Sequence, residues 1–391
     1  MRLGGEALKE EIRRRVDLVD LAASYVTLRK SGRYYKGLCP FHQEKTPSFH
    51  VDRERGLFHC FGCGAGGDLF DFVMRVQRLT FPEALEELAR RAGVEVERSP
   101  EAARRATEQE RLYQAMDAAV RFFEEQVRVS GGVRARAYLE RRGVDAEMAR
   151  RFRLGYAPEG WDGLLRALEG RGFAAGLLER CGLVAARQSG SGHYDMFRHR
   201  LVFPILDLRD RPVALGARAL DDAVPKYLNS PETPLFSKSR MLYALNWARE
   251  AVRAAGEIVV VEGYMDALTC HQLGVAHAVA SLGTALTMDQ VLLCKRFAPR
   301  VILVYDSDAA GMAATERAME LFEDAEVEVR IAVLPGGGDP DRYLRDHGAE
   351  AFRALLGAAM PIFDYRLDRA TARHDARTTE GKVAIADEVL P

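Results

Sequence analysis

Long apolar runs are missing from the 391-residue chain. No stretch reaches the ~20 residues that a membrane-spanning helix needs. The opening Met-Arg-Leu-Gly-Gly-Glu-Ala-Leu-Lys-Glu lacks the apolar centre of a signal peptide. A cytoplasmic protein without membrane contact is expected. Cysteine is sparse, at six, and in a long chain with no secretion signal these do not form a disulfide framework. Cys181, Cys270 and Cys294 stand alone in apolar or helical surroundings and read as buried thiols. No Gly-x-x-x-x-Gly-Lys-Ser/Thr loop occurs, so no nucleotide-driven motor is expected. Repeats and low-complexity segments are missing too. Lysine is scarce beside arginine, a bias that genome composition produces as readily as function.

Net charge is nearly absent, at −1, but it hides a polarity. From Arg121 to Arg253 there are 23 basic against 16 acidic residues, a balance of +7; from Ala254 to Pro391 there are 13 against 22, or −9. A basic segment beside an acidic one suits a protein that holds a polyanion and binds metal. Solvated surface charge gives the same counts.

What is present is concentrated between Ile258 and Asp308. Val-Val-Val-Glu-Gly-Tyr-Met-Asp (Val259–Asp266) and Val-Ile-Leu-Val-Tyr-Asp-Ser-Asp-Ala-Ala-Gly (Val301–Gly311) each begin with an apolar, β-branched run and break at acid and glycine. A buried parallel strand delivers a carboxylate to its C-terminal edge in this way. Asp306 and Asp308, two apart, project from one face if extended, and Glu262 arrives from a neighbouring strand. At ~4 Å and an effective dielectric of ~20, each pair of like charges costs about 4 kcal/mol. A divalent cation offsets that, and hard oxygen ligands select Mg²⁺ or Mn²⁺ over zinc. Such ions serve phosphoryl transfer. The alternative is that Glu262, Asp266, Asp306 and Asp308 only cap the helices that follow.

Nearer the N-terminus, Cys39-Pro-Phe-His42 and Cys60-Phe-Gly-Cys63 are separated by seventeen residues. A two-residue gap lets both side chains of a turn converge on one ion, and three thiolates with one imidazole close a tetrahedron around a structural zinc. Ser48–Asp52 and Leu57–His59 alternate like strands of a ribbon. His50 and His59 are less well spaced as substitute ligands. Tyr34, Tyr35, Phe49, Phe58 and Phe61 interleave with Arg33, Lys36, Lys45, Arg53 and Arg55. Aromatics between cations stack on single-stranded nucleic acid, although the same rings also fill a small core.

Helical patterns are expected over Gly5–Asp17, Leu69–Gln77, Phe81–Ala92 and Arg111–Arg128, with a linker or loose helix over residues 99–110. Asp195–Ile205 reads as a loop entering a strand, Val213–Leu220 as the returning strand, and Pro225–Thr233 as a turn-rich loop. From Glu257 strands and helices alternate, which predicts an α/β sheet with parallel pairs. Asp339 with Pro340 reads as a helix entry, and Ala349–Ala359 and Pro361–Ala372 as helices.

Glu-Gly-Tyr-Met-Asp followed by Asp-x-Asp-x-Ala-Gly resembles the TOPRIM domain of bacterial replicative primases, the DnaG type. Cys39–His42 with Cys60–Asp68 resembles the primase zinc-binding domain. Tyr138–Val144, Phe152–Pro158, Asp195–Ile205 and the string Lys-Tyr-Leu-Asn-Ser-Pro-Glu-Thr ending at Thr233 resemble the polymerase domain. The resemblance covers nearly all of the chain. It implies a multi-domain α/β protein: a zinc ribbon domain (1–98), the linker, a mixed α+β basic subdomain (111–254), a TOPRIM sheet (255–345), and the start of a helical subdomain (346–391). It implies DNA-templated synthesis of short RNA primers from ribonucleoside triphosphates on single-stranded DNA at the replication fork. Family members continue past Pro391 to a domain that binds the replicative helicase, so a truncated member, monomeric, is expected. The resemblance also adds Asp339 and Asp341 to the magnesium site. It assigns Arg142, Arg198, Arg200, Arg218, Lys226, Asn229 and Lys238 to nucleotide and template. Ala214 and Ala217 stand where the family has glycine, Met196 where it has arginine, and Ser307 where it has glycine.

Two other functions share these features. A TOPRIM nuclease or topoisomerase cuts with the same acids, and a zinc module without catalysis only binds single strands. The zinc spacing and the Lys226–Thr233 string favour the primase, and the clustered acids disfavour a purely binding role.

Overall fold

A computed structural model of the chain describes residues 5–42, 44–77, 79, 81–94, 100–187, 190–283, 286–305, 309–325, 327–335 and 338–389. The chain divides into two compact units, Met1–Arg105 and Ala106–Pro391.

In the first unit, helices α1 (Gly5–Arg15) and α2 (Leu18–Ala23) precede β1 (Arg29–Ser31), β2 (Tyr34–Gly37), β3 (Phe49–Asp52), β4 (Leu57–Cys60) and β5 (Gly66–Gly67). These strands form one antiparallel sheet in sequence order. Helices α3 (Leu69–Gln77) and α4 (Phe81–Ala92) close it. Phe41, Phe49, Phe58 and Phe72 pack with ring centroids 5.5–6.0 Å apart. Phe49 and Phe58 are therefore core rings rather than stacking platforms, because alternation along β3 and β4 turns them inward. Phe61, on the turn after β4, is 70% exposed.

The second unit begins within a long helix, α5 (Pro100–Arg128). Residues expected as a linker form its first turns, which is the loose-helix alternative; Pro100 at the start is compatible with a helical φ. Next come α6 (Val133–Arg141), α7 (Ala146–Arg151), β6 (Gly155–Ala157), α8 (Gly163–Glu169), α9 (Ala175–Arg180), β7 (Val184–Ala186) and β8 (His193–Asp195). Then β9 (Arg200–Leu206), β10 (Pro212–Ala219) and β11 (Tyr227–Asn229) build an antiparallel sheet in the order β11-β10-β9-β6. The segment expected as a loop thus contains a strand: β11 pairs Gly216 with Asn229 and Arg218 with Tyr227. Ala214 and Ala217 are buried without solvent exposure, so their methyls fit.

Helix α10 (Leu245–Ala255) leads into β12 (Glu257–Val261), α11 (Tyr264–Gln272), β13 (Ala278–Ala280), α12 (Met288–Phe297), β14 (Arg300–Leu303), α13 (Ala309–Asp324), β15 (Glu328–Ile331), α14 (Pro340–Gly357) and β16 (Met360–Pro361). The sheet order is β13-β12-β14-β15-β16, parallel except for β16. Its strands are apolar on both faces because two clusters pack on it. One runs through Val259, Val261, Ile302 and Leu344, the other through Ile258, Val260, Val301 and Phe322. Helices α15 (Ile362–Arg373) and α16 (Thr379–Val389) follow. Among the described residues no helix is long and apolar enough to cross a membrane.

Candidate functional site

Cys39, His42, Cys60 and Cys63 converge so that one donor atom from each lies within 4.8 Å of the others. Among the described residues this is the group that could hold an ion by that measure. Cys39 Sγ and Cys63 Sγ are 3.9 Å apart. A tetrahedron with Zn–S near 2.3 Å has edges of about 3.8 Å, so the spacing fits zinc. Burial pushes the Cys39 thiol up to about 12. For Cys60 burial pulls upward too, but hydrogen bonds with Ser48 Oγ and the N–H groups of Cys63 and Gly62 outweigh it and bring the thiol to about 7. A dication stabilises all three thiolates at once.

The two ring nitrogens of His42 have separate tasks. Nδ1 faces Cys60 Sγ at 3.8 Å, and Nε2 turns to Glu44 Oε2 at 3.4 Å. The same carboxylate accepts from the N–H of Cys39 at 2.7 Å and of Ser48 at 3.0 Å. Glu44 therefore orients one ligand directly and the Cys39 turn through the backbone. Sequence spacing does not single it out. His50 and His59 are not in the cluster; their rings meet Phe61 edge-on at 4.9 and 4.7 Å.

At the acidic edge, Asp306, Ser307 and Asp308 lie outside the described residues. Strands β12 and β14 are parallel neighbours, with Ile258 opposite Val301 and Val260 opposite Leu303. The Val304 N–H continues the ladder to Val260 O at 2.9 Å. That register brings Glu262 level with Tyr305, and the Glu262 charge adds to burial in raising the Tyr305 phenol.

The other acids have occupied oxygens. Asp266, 8% exposed, accepts from the Gly263 N–H at 3.0 Å and from the Asp341 N–H at 3.1 Å. Asp339 caps α14, accepting from the Arg342 N–H at 2.7 Å. Asp341, with no exposed surface, accepts from Arg142 Nη2, from Arg345 Nε at 3.1 Å and Nη2 at 3.2 Å, and from Thr269 Oγ1 at 2.7 Å. These donors engage the Asp341 carboxylate, while its backbone N–H holds Asp266, which in turn accepts from the turn after Glu262.

The basic residues divide in the same way. Arg200, expected on the template path, is 7% exposed and donates to Pro225 O at 2.8 Å and Lys226 O at 3.4 Å. It supports the loop from beneath. Asn229 is also spent within the fold, on Tyr264 and Leu282. Arg142 is held by Asp341, although its Nε and the neighbouring Tyr138 hydroxyl have no partner among the described residues. Arg218 lies 4.2 Å over the Tyr138 ring. Arg198 lies 4.3 Å over Trp161, which is 59% exposed and meets Tyr194 edge-on at 5.8 Å. Lys226 is exposed. Burial lowers the Lys238 amine despite Glu232 nearby.

Family models match in series: a CHC2 zinc finger over residues 6–104, the N-terminal domain of a DNA primase catalytic core over 122–249, and a Toprim-like domain over 259–344. The crystal structure of the Aquifex aeolicus primase zinc-binding and RNA polymerase domains is 34% identical. It matches 93% of this chain and 88% of its own, with a TM-score of 0.63. The chain belongs to the DnaG-type primase family. A DnaG primase catalytic domain solved bound to single-stranded DNA is 37% identical, covering 73% of this chain and 93% of that one, at a TM-score of 0.65. The DNA primase of Halalkalibacterium halodurans is 40% identical over 384 residues, 97% of this chain. The chain spans 64% of that relative's length.

Within this DnaG-type frame, several residues have roles that motif reading does not reveal. They are Glu44 as the partner of His42, Thr269 and Arg345 as donors to Asp341, and Tyr264 as the ring beneath Gly216. A Cβ on Gly216 would stand 2.2 Å from Tyr264 Cζ.

Proposed function

We propose that the chain starts short RNA chains de novo on single-stranded DNA. In this reaction the 3′-hydroxyl of one ribonucleotide attacks the α-phosphorus of the next, forming a P–O bond as pyrophosphate leaves. The observation that carries this reading is the parallel register of β12 and β14, with Glu262 level with Tyr305 and Asp306 next in the chain. Glu262, Asp306 and Asp308 are the proposed holders of Mg²⁺ or Mn²⁺. Such an ion lowers the pKa of an attacking hydroxyl and neutralises phosphate charge. An all-carboxylate donor set fits a hard cation.

The chain's own residues bind and orient. Lys226 and Arg218 are donors for a triphosphate. The ring of Trp161 under Arg198 offers a stacking face to a template base. The solved relative bound to single-stranded DNA supports the template class. Contact with a replicative helicase is proposed for the part of the family's length that this chain does not span, and a cytoplasmic site of action goes with the reaction.

The test is incubation with single-stranded DNA, labelled ribonucleotides and Mg²⁺ or Mn²⁺. Short RNA that disappears with Asp306→Ala supports the reading. Template degradation without RNA replaces it with a TOPRIM nuclease.

A further inference from the structure

Asn229 joins two segments that flank Glu262, and both atoms of its amide are committed to the task. Nδ2 donates to Leu282 O at 2.7 Å, and Oδ1 accepts from the Tyr264 hydroxyl at 2.6 Å. The amide orientation follows from chemistry: a carbonyl only accepts, so the NH₂ must face Leu282 and the phenol must donate to the oxygen. Tyr264 is two residues after Glu262. Its ring is clamped, stacked on Phe203 at 5.1 Å and edge-on to Tyr243 at 4.7 Å. Leu282 follows Ser281, whose Oγ donates to Glu262 O at 3.2 Å and whose N–H donates to Val261 O at 3.2 Å. One side chain on β11 thus fixes the backbone on both sides of the acid.

The other end of the device is Lys226, three residues before Asn229 and exposed. Its carbonyl is tied down by the Ala219 N–H at 2.9 Å and by Arg200. The strand between is registered on β10, where Asn229 lies opposite Gly216. Gly216 has no side chain because Tyr264 fills that space. We infer that Asn229, with Tyr264, is a positioning residue that sets the separation between the Lys226 ammonium and the Glu262 carboxylate, and that it touches neither nucleotide nor template. The inference rests on the reading of Lys226 as a nucleotide ligand. A rigid span matters because a misplacement of about 1 Å between binding and reacting groups can cost roughly 100-fold in rate.

The experiment crosses Tyr264→Phe with Lys226→Ala and measures kcat/KM for ribonucleotide, single-strand affinity and the thermal midpoint. Tyr264→Phe removes one hydroxyl and keeps the packed ring. Alone it is expected to lower kcat/KM about 10-fold while single-strand affinity stays within about 2-fold; in the Lys226→Ala background it should add less than about 2-fold. Asn229→Ser, which cannot span both partners, should behave the same way. Independent, multiplying losses from Tyr264→Phe and Lys226→Ala overturn the positioning role. So does a loss of single-strand affinity equal to the loss in kcat/KM. If Lys226→Ala alone loses nothing, the nucleotide reading of Lys226 falls first and takes this inference with it.

Discussion

Asp341 is fully buried against the guanidinium of Arg142, a residue 199 positions earlier in the chain. The contact joins the end of α6 to the start of α14. Because Arg345 and Thr269 share the same carboxylate, Asp341 has the surroundings of a structural ion-pair centre.

Arg142→Ala should therefore destabilise the second unit by about 2 kcal/mol, since the buried carboxylate loses one charged donor while Arg345 and Thr269 remain. Asp341→Asn should cost a similar amount, and the double variant less than the sum. Urea unfolding of the four proteins measures this coupling. Equal m-values would assign the change to the native contact.

A pH dependence follows from His271. It is 3% exposed, Nε2 donates to Ala278 O at 2.8 Å, and Nδ1 has no partner among the described residues. Burial pulls its pKa down to about 4 from 6.5. The folded value lies below the unfolded one, so the stabilisation is complete above about pH 6.5 and is lost as pH falls towards 4. The full effect is about 3 kcal/mol. His271→Gln should flatten this part of the stability curve between pH 7 and pH 5 relative to the wild type.

Zinc should be held at one ion per chain. Glu44→Gln should weaken it by about 10- to 100-fold, because the carboxylate that orients His42 loses its charge. Competition with a chromophoric chelator measures both the stoichiometry and the loss.

On the nucleic-acid side, Trp161→Ala should cost about 1–3 kcal/mol of single-strand affinity with an unchanged salt slope. Arg198→Ala should also reduce the slope, because a cation leaves the interface. Fluorescence anisotropy with an oligonucleotide across a salt series separates the two.

Some of this organisation is legible in the sequence. One Cys–His pair and one Cys–Cys pair, each with a two-residue gap, bring the four zinc-type donors together locally. An apolar run ending in acid and glycine marks β12 and β14, because burial on both faces leaves no polar alternation. The fates of the charged residues are not legible. Arg200 and Arg198 are two apart on one strand and its entry, and only the third dimension buries the first and leaves the second half-buried over Trp161. Asp341 draws its donors from Arg142 and Thr269, 199 and 72 positions away, and no local pattern encodes such distances. The short strand β11 escapes detection because its pairing partner β10, rather than its own Tyr-Leu-Asn, makes it a strand.

The most direct test of the central claim is anomalous scattering from a crystal of the chain soaked in Mn²⁺. Manganese is expected on the carboxylate of Glu262 together with Asp306 or Asp308, at an oxygen distance close to the roughly 2.0–2.1 Å of Mg²⁺. A Glu262 side chain turned away from the other two acids, with no manganese peak between them, would contradict it.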